Sequence, residues 1–172
     1  ARDLEQATAE VIYPEARRID LSSYLSQLVA AYEATMVAEG KHMRTEIKRD
    51  VHAYATEEAM ESIVENLLEN AASFTDPGGT VEVTLNVADS QAQLTVADTG
   101  PGVPQQFLPQ IFERNFSARP HSPDQMNGGA SNDHYGLGLW IVRRNVEGLG
   151  GKVTAYNRSG GGFAVTVSLK VA

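Results

Sequence analysis

Apolar side chains recur between residues 60 and 71 with the spacing of a helix. At about 100° per residue, Met60, Val64, Leu67, Leu68 and Ala71 gather on one side and Ser62, Asn66, Glu69, Asn70 and Ser73 on the other. Thr56-Glu57-Glu58 reads as the start of this helix, with acidic residues near its positive end. Upstream, Leu21, Leu25, Leu28, Val29 and Tyr32 predict a second helix, capped by Asp20 or Ser22 and stopped at Glu39-Gly40. Arg17-Arg18-Ile19 reads as a short extended piece, and weak alternation from Met43 to Val51 predicts one strand. Val81, Val83, Leu85 and Val87 alternate strictly, followed by Ala92, Leu94 and Val96. With the Asp89-Ser90 connection they predict an antiparallel hairpin. Leu139, Ile141, Val142 and Val146 predict a third helix opening at Gly136, and Val153–Tyr156 and Phe163–Leu169 two closing strands joined around Ser159-Gly162. Residues 114–133 carry almost no periodicity. A connection of about 20 residues inside a compact domain is uncommon and usually serves as a lid or binding loop.

Composition narrows the class. The chain has 172 residues with 42% hydrophobic and 21% charged, enough for one domain with a sizeable core. A net charge of −8 argues against general affinity for nucleic-acid phosphates. There is no cysteine, which excludes disulfides and thiolate metal sites. No apolar run approaches the roughly 18–20 residues of a membrane span, and no signal peptide opens the chain. The start at Ala1 suggests an excised fragment, and residues 1–12 read as a helical arm broken by Tyr13-Pro14.

Three constellations carry candidate chemistry. Asn66 and Asn70 lie one turn apart opposite the apolar stripe, either as a solvated polar face or as a wall of ligand-facing carboxamides. Asp98-Thr-Gly-Pro-Gly-Val103 ends a predicted buried strand. A carboxylate there can accept a hydrogen bond from an exocyclic amine such as that of adenine, and Gly100 and Gly102 permit close approach of a planar ligand. Gly136-Leu-Gly-Leu139 at a helix start would expose backbone N–H groups able to hold phosphates. No Gly-Lys-Ser/Thr follows, so this is not a Walker A loop, and no strand leads into it as in a dinucleotide-binding fingerprint.

In that order and spacing the blocks resemble the ATP-binding catalytic domain of sensor histidine kinases, part of the superfamily shared with gyrase, Hsp-type chaperones and mismatch-repair ATPases. The resemblance covers roughly residues 20–170. It implies an α+β fold, a two-layer α/β sandwich with a mixed, mostly antiparallel sheet on three main helices. The ATP-binding domain would run from residue 14 to 172 with a lid over about 113–135, and residues 1–13 would end a preceding dimerisation-domain helix or linker. It further implies that Asn70 coordinates Mg²⁺ on the triphosphate and that Asn66 faces the same region. Asp98 would bind the adenine amino group above Gly100 and Gly102, and Gly136, Leu137, Gly138 and Leu139 would follow the phosphates through backbone amides. Ser73, where the family often has Lys, and Tyr135 complete the nucleotide-facing set. Phe74 and Ile111 would touch the base or hold the lid, or else pack in the core.

The water-activating ATPases of the superfamily carry Glu where this chain has Asn66, which favours a kinase; Glu69 is the remaining carboxylate on that face. A lid cation would come from Arg114, Arg119 or His121. None of His42, His52, His121 and His134 has the context of the family's phosphoacceptor. The implied partners are therefore ATP, a histidine-bearing dimerisation domain of the same protein and a response regulator, in a homodimeric full-length protein. No nucleic acid and no membrane contact by this fragment is expected, and its placement would be cytoplasmic, either in a soluble protein or as the cytoplasmic part of a membrane-bound sensor. A non-catalytic nucleotide-binding or interaction module and an ATP-driven hydrolase are the alternatives.

Overall fold

The computed structural model describes residues 15–114, 116 and 130–172, with side chains from residue 138 onward in the last segment. The elements run β1 (Arg17–Asp20), α1 (Leu21–Ala38), β2 (His42–Ile47), β3 (His52–Ala55), α2 (Glu57–Phe74), β4 (Thr80–Ala88) and β5 (Gln91–Asp98). A 3₁₀ segment (Gln105–Gln110), α3 (Ala130–Gly148), β6 (Lys152–Asn157) and β7 (Phe163–Lys170) follow.

The main sheet has five strands in the order β2-β4-β5-β7-β6. Only β2 and β4 are parallel, and the crossover between them contains α2. β4 and β5 form the predicted hairpin, with Asp89 and Ser90 at φ 54° and 62°. Two central residues with positive φ match the twist of the flanking strands. β1 and β3 pair antiparallel in a separate two-stranded sheet, and an isolated bridge from Ala53 to Val171 ties it to the chain beyond β7.

One face of the main sheet is the core. Val83 pairs with Val96 and Leu85 with Leu94, and these continue to Val165 and Val167, all buried. Leu21, Leu25 and Val29 of α1, the apolar side of α2, and Leu139, Val142 and Val146 of α3 cover them. The opposite face carries Thr84, Thr95 and Thr166, partly exposed, with the Thr95 and Thr166 hydroxyls 2.9 Å apart. The result is the two-layer α+β sandwich that the resemblance implied.

α2 forms where expected. The Thr56 side chain accepts a hydrogen bond from Ala59 N–H at 3.0 Å, and Glu57 and Glu58 occupy the first turn. Met60, Ile63, Val64, Leu67 and Leu68 are at most 1% exposed, each burial contributing about 1.5–3 kcal/mol. In α1 it is Asp20 that caps, accepting from Ser23 N–H at 3.0 Å, while Ser22 is buried and donates to the Lys48 carbonyl at 2.5 Å.

Two expectations are corrected. The strand expected over Met43–Val51 ends at Ile47, and a further strand that was not expected, β3, follows in the other sheet, because the start of α1 holds the segment between them. Val51 N–H donates to Ser22 Oγ at 2.9 Å, the Val51 carbonyl accepts from Leu21 N–H at 2.9 Å, and Asp50 turns at φ 59°. The third helix begins at Ala130 rather than Gly136, so residues 130–135 of the expected lid are helical. The remaining lid residues apart from 113, 114 and 116, and the arm over 1–13, lie outside the described residues.

Candidate nucleotide site

Asp98 is the last residue of β5, opposite Val81 in β4, and is 1% exposed. Burial pushes its carboxyl pKa up; backbone N–H bonds from Gly100 and Phe163 and the Arg158 guanidinium oppose the shift without cancelling it. Its Oδ1 accepts from Gly100 N–H at 2.8 Å. A Cβ on Gly100 would lie 2.3 Å from the Phe74 carbonyl oxygen, so the turn after β5 lies directly against the C-terminal end of α2. The fold thus brings Asp98, Gly100 and half-buried Phe74 together, with Val103 and Ile111 buried in the adjoining core. Ile111 is 4% exposed and packs in the core cluster beside this turn.

The carboxamide face of α2 is not a solvated surface. Asn66 is partly buried and Asn70 is 5% exposed. Asn66 Nδ2 donates to the Ser62 carbonyl at 2.7 Å, and Asn145 Nδ2 of α3 donates to Ser62 Oγ at 3.2 Å. A Cβ on Gly138 would lie 3.5 Å from Asn66 Oδ1. Asn66 therefore faces Gly138 across the α2–α3 contact, at ordinary van der Waals distance.

Other predicted site residues are placed differently. Glu69 and Ser73 line a groove of about 430 Å³ between α1 and α2, with Tyr32, Lys41, Met36 and Leu68. Glu69 thus borders the groove against α1. Burial, then Glu65, Glu69 and Glu61, push the Tyr32 hydroxyl in this groove up to about 12. Ser73 Oγ donates to the Asn70 carbonyl at 2.7 Å. Gly136, Leu137, Gly138 and Leu139 lie inside α3, where backbone N–H groups serve the helical ladder. The expectation that they open the helix is therefore corrected; its first turn lies at Ala130. Leu139 contributes its side chain to the core. Of Tyr135 only its place in α3 is described. Arg114 stands 5.0 Å from the Trp140 ring centroid and Arg144 4.8 Å. Arg119 and His121 lie outside the described residues.

The sequence reading missed several residues that build the site. Asn157, the last residue of β6, donates from Nδ2 to the Val103 carbonyl at 2.6 Å and accepts from Val103 N–H at 2.8 Å. Arg158 donates to the Asp98 carbonyl at 3.1 Å, and its guanidinium lies 3.9 Å from Glu82. Gly162, at φ 106°, packs so closely that a Cβ would meet the Asp98 carbonyl oxygen at 1.9 Å. The glycine run of residues 160–162 was a visible signal; a polar residue at a strand end was not. Lys41, also missed, donates to the Ala72 carbonyl at 2.9 Å and pairs with Glu39 at 3.1 Å. It places a cation at the C-terminal end of α2, whose last turn has no basic residue of its own.

Comparison with known proteins defines the class. Residues 55–172 match the family model described as histidine kinase-, DNA gyrase B-, and HSP90-like ATPase, and the chain belongs to that family. It is 29% identical over 90% of its length to the adaptive-response sensory kinase SasA of Parasynechococcus marenigrum (strain WH8102), of which the match covers 39%. Among solved structures, the mycobacterial sensor histidine kinase MprB superposes with a TM-score of 0.74 at 25% identity, covering 91% of this chain and 97% of that one. Full-length ShkA in complex with AMPPNP gives 0.74 at 25% identity over 94% of this chain and 32% of that one. The chain spans roughly two fifths of the curated relative described here. An ATP-binding domain of the sensor histidine kinase type is therefore the class of this chain.

Proposed function

We propose that this domain binds ATP with Mg²⁺ and donates the γ-phosphoryl group to a histidine on a separate dimerisation domain of the same protein, for relay to a response regulator. The observation that carries the reading is Asp98: a carboxylate 1% exposed, anchored through one oxygen by Gly100 N–H, at the end of a core strand beside the C-terminus of α2. Such a group suits an exocyclic amine donor, as adenine presents and guanine does not at the equivalent position. Asn70, buried one turn beyond Asn66, would hold Mg²⁺ from one side while nucleotide phosphates complete its shell. Mg²⁺ is commonly bound by few protein groups plus substrate phosphates. Among the described residues no group of three His, Cys, Asp or Glu side chains could hold a metal by itself. Phosphoryl transfer asks mainly for positioning and charge neutralisation from such a site.

The hydrolase alternative is weaker because position 66 is a carboxamide bound to the Ser62 carbonyl and Glu69 borders the groove against α1. Among the described residues no helix is long and apolar enough to cross a membrane. The test is transfer in trans. Incubated with γ-labelled ATP and Mg²⁺, the chain alone should form no phosphohistidine. Added to a dimerisation domain from the same protein, it should label that domain. Stable label on His42, His52, His121 or His134 would contradict the reading.

A further inference from the structure

Asp98 can read a base only if the turn that carries it is held still, and that turn has little regular structure of its own. Residues 101–104 belong to no helix or strand. What grips them comes from the other end of the chain. Asn157 pairs with both backbone groups of Val103, at 2.8 Å and 2.6 Å, as a neighbouring strand would. Its Oδ1 sits where a Cβ on Gly102 would approach within 2.8 Å, and Gly102 is at φ 78°. Arg158 grips the turn's first residue through the Asp98 carbonyl and reaches back to Glu82 of β4. Gly162 closes the contact by laying its backbone on that same carbonyl. Both ends of the Asp98–Val103 turn are thus fastened to the β6–β7 connection.

We propose that Asn157 and Arg158 are positioning residues that set the base selectivity of the nucleotide site by fixing Asp98 against the bound base. The inference rests on the ATP-binding reading above. With the turn fixed, the carboxylate meets the adenine amine and repels the O6 acceptor of guanine. With the turn released, Asp98 can withdraw and the penalty on guanine falls.

The test compares ATP and GTP affinity, each with Mg²⁺, for the wild type, Asn157→Ala, Asn157→Asp, Arg158→Gln, Asp98→Asn and Thr166→Val, alongside unliganded melting temperature. Thr166→Val removes the hydroxyl contact to Thr95 on the open face of the sheet and serves as a purely structural control. The expected result is that Asn157→Ala reduces the ATP-over-GTP preference about tenfold or more, the scale of one hydrogen bond to a charged group. Asn157→Asp, which can accept from Val103 N–H but not donate to its carbonyl, falls between. Arg158→Gln moves the preference in the same direction, and being on a partly exposed side chain it keeps the test open should Asn157→Ala fold poorly. Thr166→Val lowers stability alone. The proposal is overturned if folded Asn157 and Arg158 variants lose stability while keeping wild-type selectivity and Asp98→Asn loses it. If the wild type binds neither nucleotide, or Asp98→Asn changes nothing, the site reading itself fails and the proposal with it.

Discussion

Gly162→Ala perturbs the site at its tightest point, and Gly160 supplies the comparison. Both glycines have positive φ, 106° at Gly162 and 90° at Gly160, but a Cβ at Gly160 would meet nothing within 4 Å. For Gly160→Ala only backbone strain remains, on the order of 1–2 kcal/mol. At Gly162 the new Cβ would stand 1.9 Å from the Asp98 carbonyl oxygen, against a practical limit of 3.0 Å, so one must retreat by the difference, 1.1 Å. That retreat breaks the 3.1 Å bond from the Arg158 guanidinium to the same carbonyl, a bond to a charged group worth about 1.5–3 kcal/mol net. Strain plus the lost bond comes to about 2.5–5 kcal/mol before any remaining overlap. At roughly 2–4 °C per kcal/mol for a domain of this size, melting should fall by about 5–20 °C. The displacement also moves the Asp98 carboxylate off the base, and losing a hydrogen bond to a charged group weakens ATP binding about 10- to 150-fold. Differential scanning fluorimetry and calorimetric titration of both variants decide the matter. A Gly162→Ala protein that melts with Gly160→Ala and binds ATP like the wild type would refute the role assigned to this packing.

Other consequences can be read separately. Because burial holds the folded pKa of Asp98 above its unfolded value, the folded state binds that proton more tightly, and stability falls as pH rises between the two values. Asp98→Asn should therefore melt higher than wild type at neutral pH while losing ATP affinity, with the stability gain shrinking as pH drops through the folded pKa; a variant less stable at every pH would contradict the assigned shift. Lys41→Met removes the cation from the end of α2 and, by the helix-dipole scale, should cost about 0.3–2 kcal/mol, seen as a lower urea midpoint; an unchanged midpoint would show that the 2.9 Å bond to Ala72 contributes nothing. Leu67→Ala opens a hole in the sheet-facing side of α2 and should cost about 2–5 kcal/mol by chemical denaturation. Trp140 is the chain's single tryptophan, so its fluorescence reports the stack with Arg114 and Arg144. Arg114→Ala should change that emission, and identical spectra would contradict the contact.

What the sequence made legible was whatever is written in short-range chemistry. α2 announced itself by apolar spacing and Thr56-Glu57-Glu58, the β4–β5 hairpin by strict alternation around Asp89-Ser90, and Asp98 by its place between a buried strand and two glycines. What it left out depends on distant partners. Nothing near Val51 reveals that Ser22 seizes its N–H and breaks the strand. Helical spacing alone put Glu69 and Ser73 beside the asparagines, because angles around one helix do not say where the neighbouring helices stand. α1 takes one flank and α3 the other, which sends Glu69 to the first and Asn66 to the second. Asn157 lies 54 residues from Val103, so its hold on the Asp98 turn could not be read until the sheet brought β6 alongside β7.

The measurement that bears most directly on the account is calorimetric titration of the chain with ATP, with and without Mg²⁺, in the wild type, Asp98→Asn and Asn70→Asp. The account predicts binding that Mg²⁺ strengthens, weakened about tenfold or more by Asp98→Asn through the lost base contact, and altered chiefly in its Mg²⁺ dependence by Asn70→Asp. A folded wild type that does not bind ATP, or that binds it equally well without the Asp98 carboxylate, would contradict it.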